Sequence, residues 1–293
     1  MKKLLLLLPV VIAGCGGGSP TSTAPSQPIQ PVVYIFNASS KPNELNLNCV
    51  SNSSNRVAAI NPSVSSEYFF ENNTWGSATI IPTYKWDQCI GSTFADPNTV
   101  VAKWTWDMGY DSGFGVKSYP EIIYGFKPGA NNPTSTFPKL INNAKSIVVK
   151  WDIEIDKTDS MGQLLLESWI SSTNNVTRLT DKNMVAELGI ILSCWGAVNG
   201  WCNPVGEKVN IGGYDYIFNV NAAPIPGNPM FITFNSVTPQ LGKGGVDIAL
   251  FLNFLKSRGV LNDQQYIDDI EFGTEIAAGK GAARLNSYSI TAN

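Results

Sequence analysis

From Val32 onward the chain is a succession of short apolar or alternating runs broken by clusters of Asn, Gly, Pro and Ser. Candidate strands fall at 32–36, 67–72, 100–106, 146–155, 164–170, 185–192, 208–211, 214–220, 230–235, 269–276 and 282–290. Many short strands with frequent turn signals predict an all-β protein, a sandwich or jelly roll. One segment departs from this pattern. Residues 247–259 follow two glycines, carry Asp247 at the start and end in Lys256, Arg258 and Gly259, which predicts a single helix packed on the sandwich.

The run 270–276 shows what such a strand can carry. Alternation puts Ile270, Phe272, Thr274 and Ile276 on one face and Glu271, Gly273 and Glu275 on the other. A second run, 184–192, is apolar almost throughout and has one acid, Glu187, in its middle. Burying a lone carboxylate there is unfavourable, so Glu187 needs a functional reason for its place. Glu187 and Glu275 are expected to face each other across a carbohydrate cleft.

Composition narrows the chemistry. The 293 residues contain no histidine, which excludes Ser-His-Asp and Cys-His nucleophiles and His-ligated metals, so hydrolysis would run on carboxylates. Only 15% of residues are charged and the net charge is -3, which disfavours nucleic acid as a partner and favours a neutral ligand. Eight Trp and ten Tyr supply flat faces for sugar rings, although most are expected to fill core and surface. No metal or cofactor is called for.

Lys2 and Lys3 precede an apolar stretch, 4–13, that is too short to span a membrane and ends near Cys15. The segment 1–15 resembles a bacterial lipoprotein signal, with Cys15 as the lipidated residue; a simple cleaved signal is the alternative. Residues 16–31 are Gly, Ser, Thr and Pro with no apolar periodicity and read as a tether, leaving 32–293 as one domain. The expectation is a monomer held at the cell envelope, outer membrane or cell surface, touching the membrane through its lipid anchor alone. Export favours disulfides among Cys49, Cys89, Cys194 and Cys202. Three pairings are possible, and Cys49–Cys89 with Cys194–Cys202 is preferred because the second pair closes a short loop.

Several motifs occur in a fixed order: Asn72-Asn73-Thr74-Trp75-Gly76, Gln88-Cys89, Val116-Lys117-Ser118-Tyr119-Pro120, Glu187-Leu188, Pro204-Val205-Gly206, Phe251-Leu252-Asn253-Phe254-Leu255 and Phe272-Gly273-Thr274-Glu275. In this order they resemble glycoside hydrolase family 12, retaining β-1,4-glucanases and xyloglucanases, from about Cys49 to the C-terminus. The resemblance implies a jelly roll of two curved antiparallel sheets with one helix and an open cleft. It implies Glu187 as nucleophile and Glu275 as general acid/base, with carboxyls about 5–5.5 Å apart. Such proximity is expected to require neighbouring strands in one sheet. Trp75 matches the sugar-stacking tryptophan and Asn73 its hydrogen-bonding neighbour. Trp104 and Trp106 share a strand face, and Trp106 is taken as a further substrate contact.

The chain also departs from the family. The nucleophile is usually followed by Leu-Met-Ile-Trp, whereas here Leu188-Gly189-Ile190-Ile191 follows, so a Met and a Trp are missing. The aspartate that supports the nucleophile is replaced by Glu167, one methylene longer. Glu271, two pleats from Glu275, is expected to be a solvated charge at the cleft edge. These departures leave a competing expectation, a surface lipoprotein that binds β-glucan without cleaving it.

Overall fold

A strand with alternate apolar residues is stabilised by turning that face onto a second sheet, each fully buried Leu, Ile or Phe contributing about 1.5–3 kcal/mol. The computed structural model shows this arrangement. It describes residues 67–293 apart from 81–82, 110–114, 131–133, 197–201 and 222–227, and before them 32–35, 45, 47–51 and 57–60. Cys15, the signal and the tether lie outside the described residues.

In chain order the elements are β1 (Val32–Ile35), β2 (Asn48–Ser51), β3 (Val57–Ile60), β4 (Tyr68–Asn73), β5 (Asp87–Asp96), β6 (Thr99–Asp107), β7 (Tyr119–Gly125), β8 (Lys139–Leu140), β9 (Ile147–Ser171), β10 (Met184–Trp195), β11 (Glu207–Ile211), β12 (Tyr214–Asn221), β13 (Met230–Ser236), β14 (Gly242–Asp247), α1 (Ile248–Ser257), β15 (Tyr266–Ile267) and β16 (Asp269–Ala292). The inner sheet runs β1-β3-β4-β7-β16-β9-β10-β13-β12-β11. The outer layer runs β2-β5-β6-β16-β9-β14. Pairing is antiparallel except for β1 with β3 and β10 with β13, two parallel pairs that the expected antiparallel sheets did not include.

β9 and β16 belong to both layers. The sequence suggests two strands in each place, 146–155 with 164–170 and 269–276 with 282–290. Instead each pair is one long strand, with register shifts between Ile276 and Ala278 and between Lys280 and Ala282. Such irregularities bend a strand and increase its twist, which lets one segment pass from one sheet to the other. β7 escaped the sequence reading because Pro120 and Gly125 sit at its ends.

Between the layers lies one aromatic core. Phe272 stacks on Tyr288, with ring centroids 4.9 Å apart, and on Trp151 at 5.8 Å. α1 covers one end through Phe251, packed against Phe234 at 5.0 Å and Tyr216 at 5.2 Å. Its expected acidic start is an N-cap: the Asp247 carboxylate accepts from Ala249 N at 3.0 Å and from Ile147 N at 2.8 Å, tying the helix to the start of β9. Both preferred disulfides are present, Cys49–Cys89 across β2 and β5 and Cys194–Cys202 at the end of β10.

Candidate active site

Strand alternation and register decide which side chains meet on the open face of the inner sheet. On β16, Ile270, Phe272, Thr274 and Ile276 are wholly buried toward the core, leaving Glu271, Gly273 and Glu275 on the other face. On β10, Leu188 and Ile190 enter the core, so Glu187, Gly189 and Ile191 face the cleft. β9 lies between these strands and pairs Glu187 with Trp169 on one side and Glu275 with Gln163 on the other. The strands bearing the two acids are therefore next-nearest, not adjacent as the sequence reading required. Two inter-strand spacings set those strands about 10 Å apart, and the partners of the two acids on β9, Trp169 and Gln163, lie six residues apart along it. The two acids nevertheless open onto shared cavities. Both line one cavity of about 290 Å³ with Trp75, Glu167 and Trp169. Both also line a second of about 410 Å³ with Trp75 and Phe231.

Glu187 and Glu275 are half-buried, and their environment disfavours ionisation. Burial, followed by the charges of Glu275 and Glu271, pushes Glu187 up to about 8, against the opposing charge of Lys127. Burial pushes Glu275 up to about 7, although Gln163 Nε2 donates to its carboxylate at 2.5 Å and Glu271 adds repulsion. The protons of such a pair come off in two steps that belong to the pair. Between those steps it holds one proton and one charge, the combination needed by a nucleophile working beside an acid, although taken singly Glu187 holds its proton more tightly than Glu275, the reverse of the order that the family roles require. Glu167 is raised well above the carboxylate range by burial and then by the charge of Glu187, so its coupling to Glu187 is electrostatic. It sits opposite Gly189 on one side and Glu271 on the other.

Trp75 stands 55% exposed beside the acids, on a turn that other residues hold. Its N–H donates to Asn73 Oδ1 at 3.2 Å. Gly76 allows the turn to press on the neighbouring chain, where a Cβ would come within 1.9 Å of the Val116 carbonyl oxygen. Asn73 lines the cavity but is buried, and its Nδ2 donates to Glu121 Oε1 at 2.9 Å, so this side chain holds the turn under Trp75. The adjacent Asn72 and Gln88 point into the sandwich, where Gln88 Nε2 donates to Asn72 Oδ1 at 2.6 Å.

Two assignments from the sequence are corrected. Trp106 and Trp104 are core residues, 2% and 0% exposed, and do not reach the cleft. β6 pairs with the later half of β16, in the outer layer, and directs this face inward, where Trp104 Nε1 donates to Thr274 Oγ1 at 2.8 Å. Glu271 is not a solvated edge charge. It is wholly buried in the middle of the sheet, accepting from Lys127 Nζ at 2.9 Å and from Trp169 Nε1 at 3.1 Å.

Other cleft residues were missed. Phe231 pairs with Glu187 across β10 and β13 and with Asn221 across β12, and it is 37% exposed. An aromatic on the outward face of the alternating run 230–235 was the available signal. Gly189 leaves the floor beside it open: a Cβ there would meet Ile191 Cδ1 at 3.5 Å and Phe231 Cε2 at 3.9 Å, both ordinary contacts. Gln163 and Lys127 gave no comparable signal, because nothing local marks their partners.

A β-jelly roll whose open face gathers paired acids beside an exposed tryptophan has the construction of a glycosidase. The chain belongs to glycosyl hydrolase family 12, whose model matches residues 66–293, and the protein is a glycosidase. It is 25% identical over 229 residues to the xyloglucan-specific endo-beta-1,4-glucanase A of Emericella nidulans, covering 75% of this chain and 83% of that protein. It is 23% identical over 245 residues to endoglucanase S of Pectobacterium parmentieri, covering 76% of this chain and 81% of that one. Among solved structures, the family 12 xyloglucanase from Bacillus licheniformis superposes with a TM-score of 0.67 at 22% identity, over 84% of this chain and all of that one. Endoglucanase 3 of Trichoderma harzianum gives 0.67 at 19%, over 86% of this chain and all of that one. These two likenesses concern the fold.

Proposed function

We propose that this protein hydrolyses β-1,4 linkages within β-glucan chains by a double displacement with net retention. The convergence of Glu187 and Glu275 in one cavity beside the exposed face of Trp75 carries this reading. The endoglucanase and xyloglucan-specific names of its relatives agree with it. Glu187, ionised, attacks the anomeric carbon while protonated Glu275 gives its proton to the departing glycosidic oxygen, leaving an ester of Glu187. With the charge on Glu187 gone, Glu275 stays ionised and takes a proton from water, which attacks the anomeric carbon and frees Glu187. Glu167 supports the nucleophile by staying protonated, so that no second carboxylate charge beside Glu187 opposes its ionisation. Trp75 binds the apolar face of a glucosyl ring without charge, which suits a neutral polymer.

Glu187→Gln and Glu275→Gln test the roles. Release of reducing ends from carboxymethylcellulose, mixed-linkage β-glucan and xyloglucan is expected to vanish in the first and to fall by about 10²–10⁴ in the second. Unchanged activity in either variant would sink the assignment. Binding of these glucans by the wild type without turnover would point instead to a glucan-binding surface protein. Residues 1–15 direct export and Cys15 carries the lipid anchor in this proposal, with 16–31 spacing the domain at 32–293 from the membrane. Cys15→Ser should move the protein from the detergent phase to the aqueous phase, and equal partitioning of both forms would contradict the anchor.

A further inference from the structure

Four glutamates form a row across the inner sheet under the cleft. Glu71 on β4 pairs with Glu121 on β7, and Glu271 on β16 pairs with Glu167 on β9. Glu121 and Glu271 are brought together by Gly273, which pairs with Glu121; a Cβ at Gly273 would lie 2.2 Å from the Pro120 carbonyl oxygen. All four glutamates are buried, between 0% and 7% exposed. The row runs from the turn under Trp75 to the side of Glu187, and the chemistry proposed for Glu187 and Glu275 leaves its first three members unused.

One cation is embedded in it. Lys127, 3% exposed, places its Nζ at 2.8 Å from Glu121, 2.9 Å from Glu271 and 3.3 Å from Glu71, above the ring of Tyr119 at 5.9 Å. Two of these acids pass the contact onward. Glu121 accepts from Asn73, whose side chain holds the Trp75 turn. Glu271 accepts from the Trp169 indole, and Trp169 is the cross-strand partner of Glu187.

We propose that Lys127 is a positioning residue of this glycosidase: its ammonium joins three strands beneath the cleft, fixes Trp75 through Glu121 and Asn73, and supplies the positive charge that lets Glu187 ionise among its acidic neighbours. This role rests on Glu187 acting as the nucleophile. Three acids around one buried ammonium cannot all be charged cheaply. Burial and the charge of Glu271 hold Glu121 well above the usual range, and burial with the same charge does so for Asp269, whereas Glu271 is held low against its burial, chiefly by Lys127. Glu271 is thus ionised beside Lys127, while Glu121 is held neutral. The groups facing this ion pair are Glu71 from β4, Tyr119 and Glu121 from β7, Asp269 from β16 and Glu167 from β9, and its field reaches Glu187 on β10 and, through Glu271, Glu275 on β16. At Glu187 the two charges oppose each other, Glu271 raising its pKa and Lys127 lowering it.

The test is the pH profile of kcat/KM on soluble β-glucan for the wild type, Lys127→Met, Lys127→Arg, Glu271→Gln and the Lys127→Met/Glu271→Gln pair. Removing the positive charge should move the acidic limb, where Glu187 loses its proton, up by about one unit, a loss of about tenfold at any pH on that limb. KM should rise severalfold as Trp75 loosens, and Lys127→Arg, which keeps the charge, should restore the limb. Glu271→Gln should move the limb down. Lys127→Met alone leaves buried acids without their cation and is the variant at risk of not folding, so the same substitution is also read in the Glu271→Gln background. There too it must shift the limb upward. Superposed profiles for Glu271→Gln and the double variant, or for wild type and a folded Lys127→Met, overturn the proposal. A wild type inactive on every glucan overturns the hydrolytic reading instead.

Discussion

Gln163→Leu isolates one interaction at the candidate acid. Gln163 faces Glu275 directly across β9 and β16, and its amide donates to the half-buried carboxylate at 2.5 Å. That bond favours the ionised form, so removing it raises the pKa of Glu275 above its present value of about 7. A hydrogen bond to a charged group contributes about 1.5–3 kcal/mol, and one pKa unit corresponds to about 1.4 kcal/mol. Taking the lower end for a group that water still reaches, the shift is about one unit upward. Leucine is close to glutamine in volume and brings no donor, so it adds desolvation of the same sign. The assay is the pH dependence of kcat/KM on soluble β-glucan, whose alkaline limb reports loss of the acid's proton in the free enzyme. With Glu187 as the group that ionises first, as its proposed role requires, that limb should move upward by about one unit, extending activity to higher pH, while the acidic limb, set by Glu187 opposite Trp169, stays in place. A stationary or falling alkaline limb would refute the role of Gln163. Equal movement of both limbs would mean that the substitution had loosened the whole site.

Trp75→Ala should raise KM for β-glucan about two- to tenfold, the equivalent of one aromatic stacking contact of about 0.5–1.5 kcal/mol. Its thermal unfolding should hardly change, because the side chain is 55% exposed. Trp106→Ala should behave in the opposite way: urea unfolding should show a loss of about 3–5 kcal/mol from the cavity left in the core, with KM of the folded fraction unchanged.

The faces of individual strands were legible from alternation alone. Ile270, Phe272, Thr274 and Ile276 go inward, and Glu271 and Glu275 share the other face, as a period of two requires. The helix was legible because its signals are local: Asp247 caps it, and Gly259 follows with a φ of 68°. The motif settings of Glu187 and Glu275 marked both acids as candidates before any geometry was known.

Tertiary structure decided what those faces meet. Alternation places Trp104 and Trp106 on a common face, yet whether that face is core or cleft depends on β6 joining the outer layer. Glu271 and Glu275 share a face, yet one is covered at the cleft floor by Lys127 and Trp169 while the other opens to the cleft. The sequence determined the jelly-roll class, the single helix and the two acids that the family pattern marks. Only the fold decided that β9 runs between those acids, that Gln163, Glu167 and Trp169 stand between them, and that a lysine from outside every motif anchors the floor. Periodicity and capping act within a few residues, whereas strand order and ion pairing join residues far apart in the chain, and their energies depend on burial that exists only once the layers have closed.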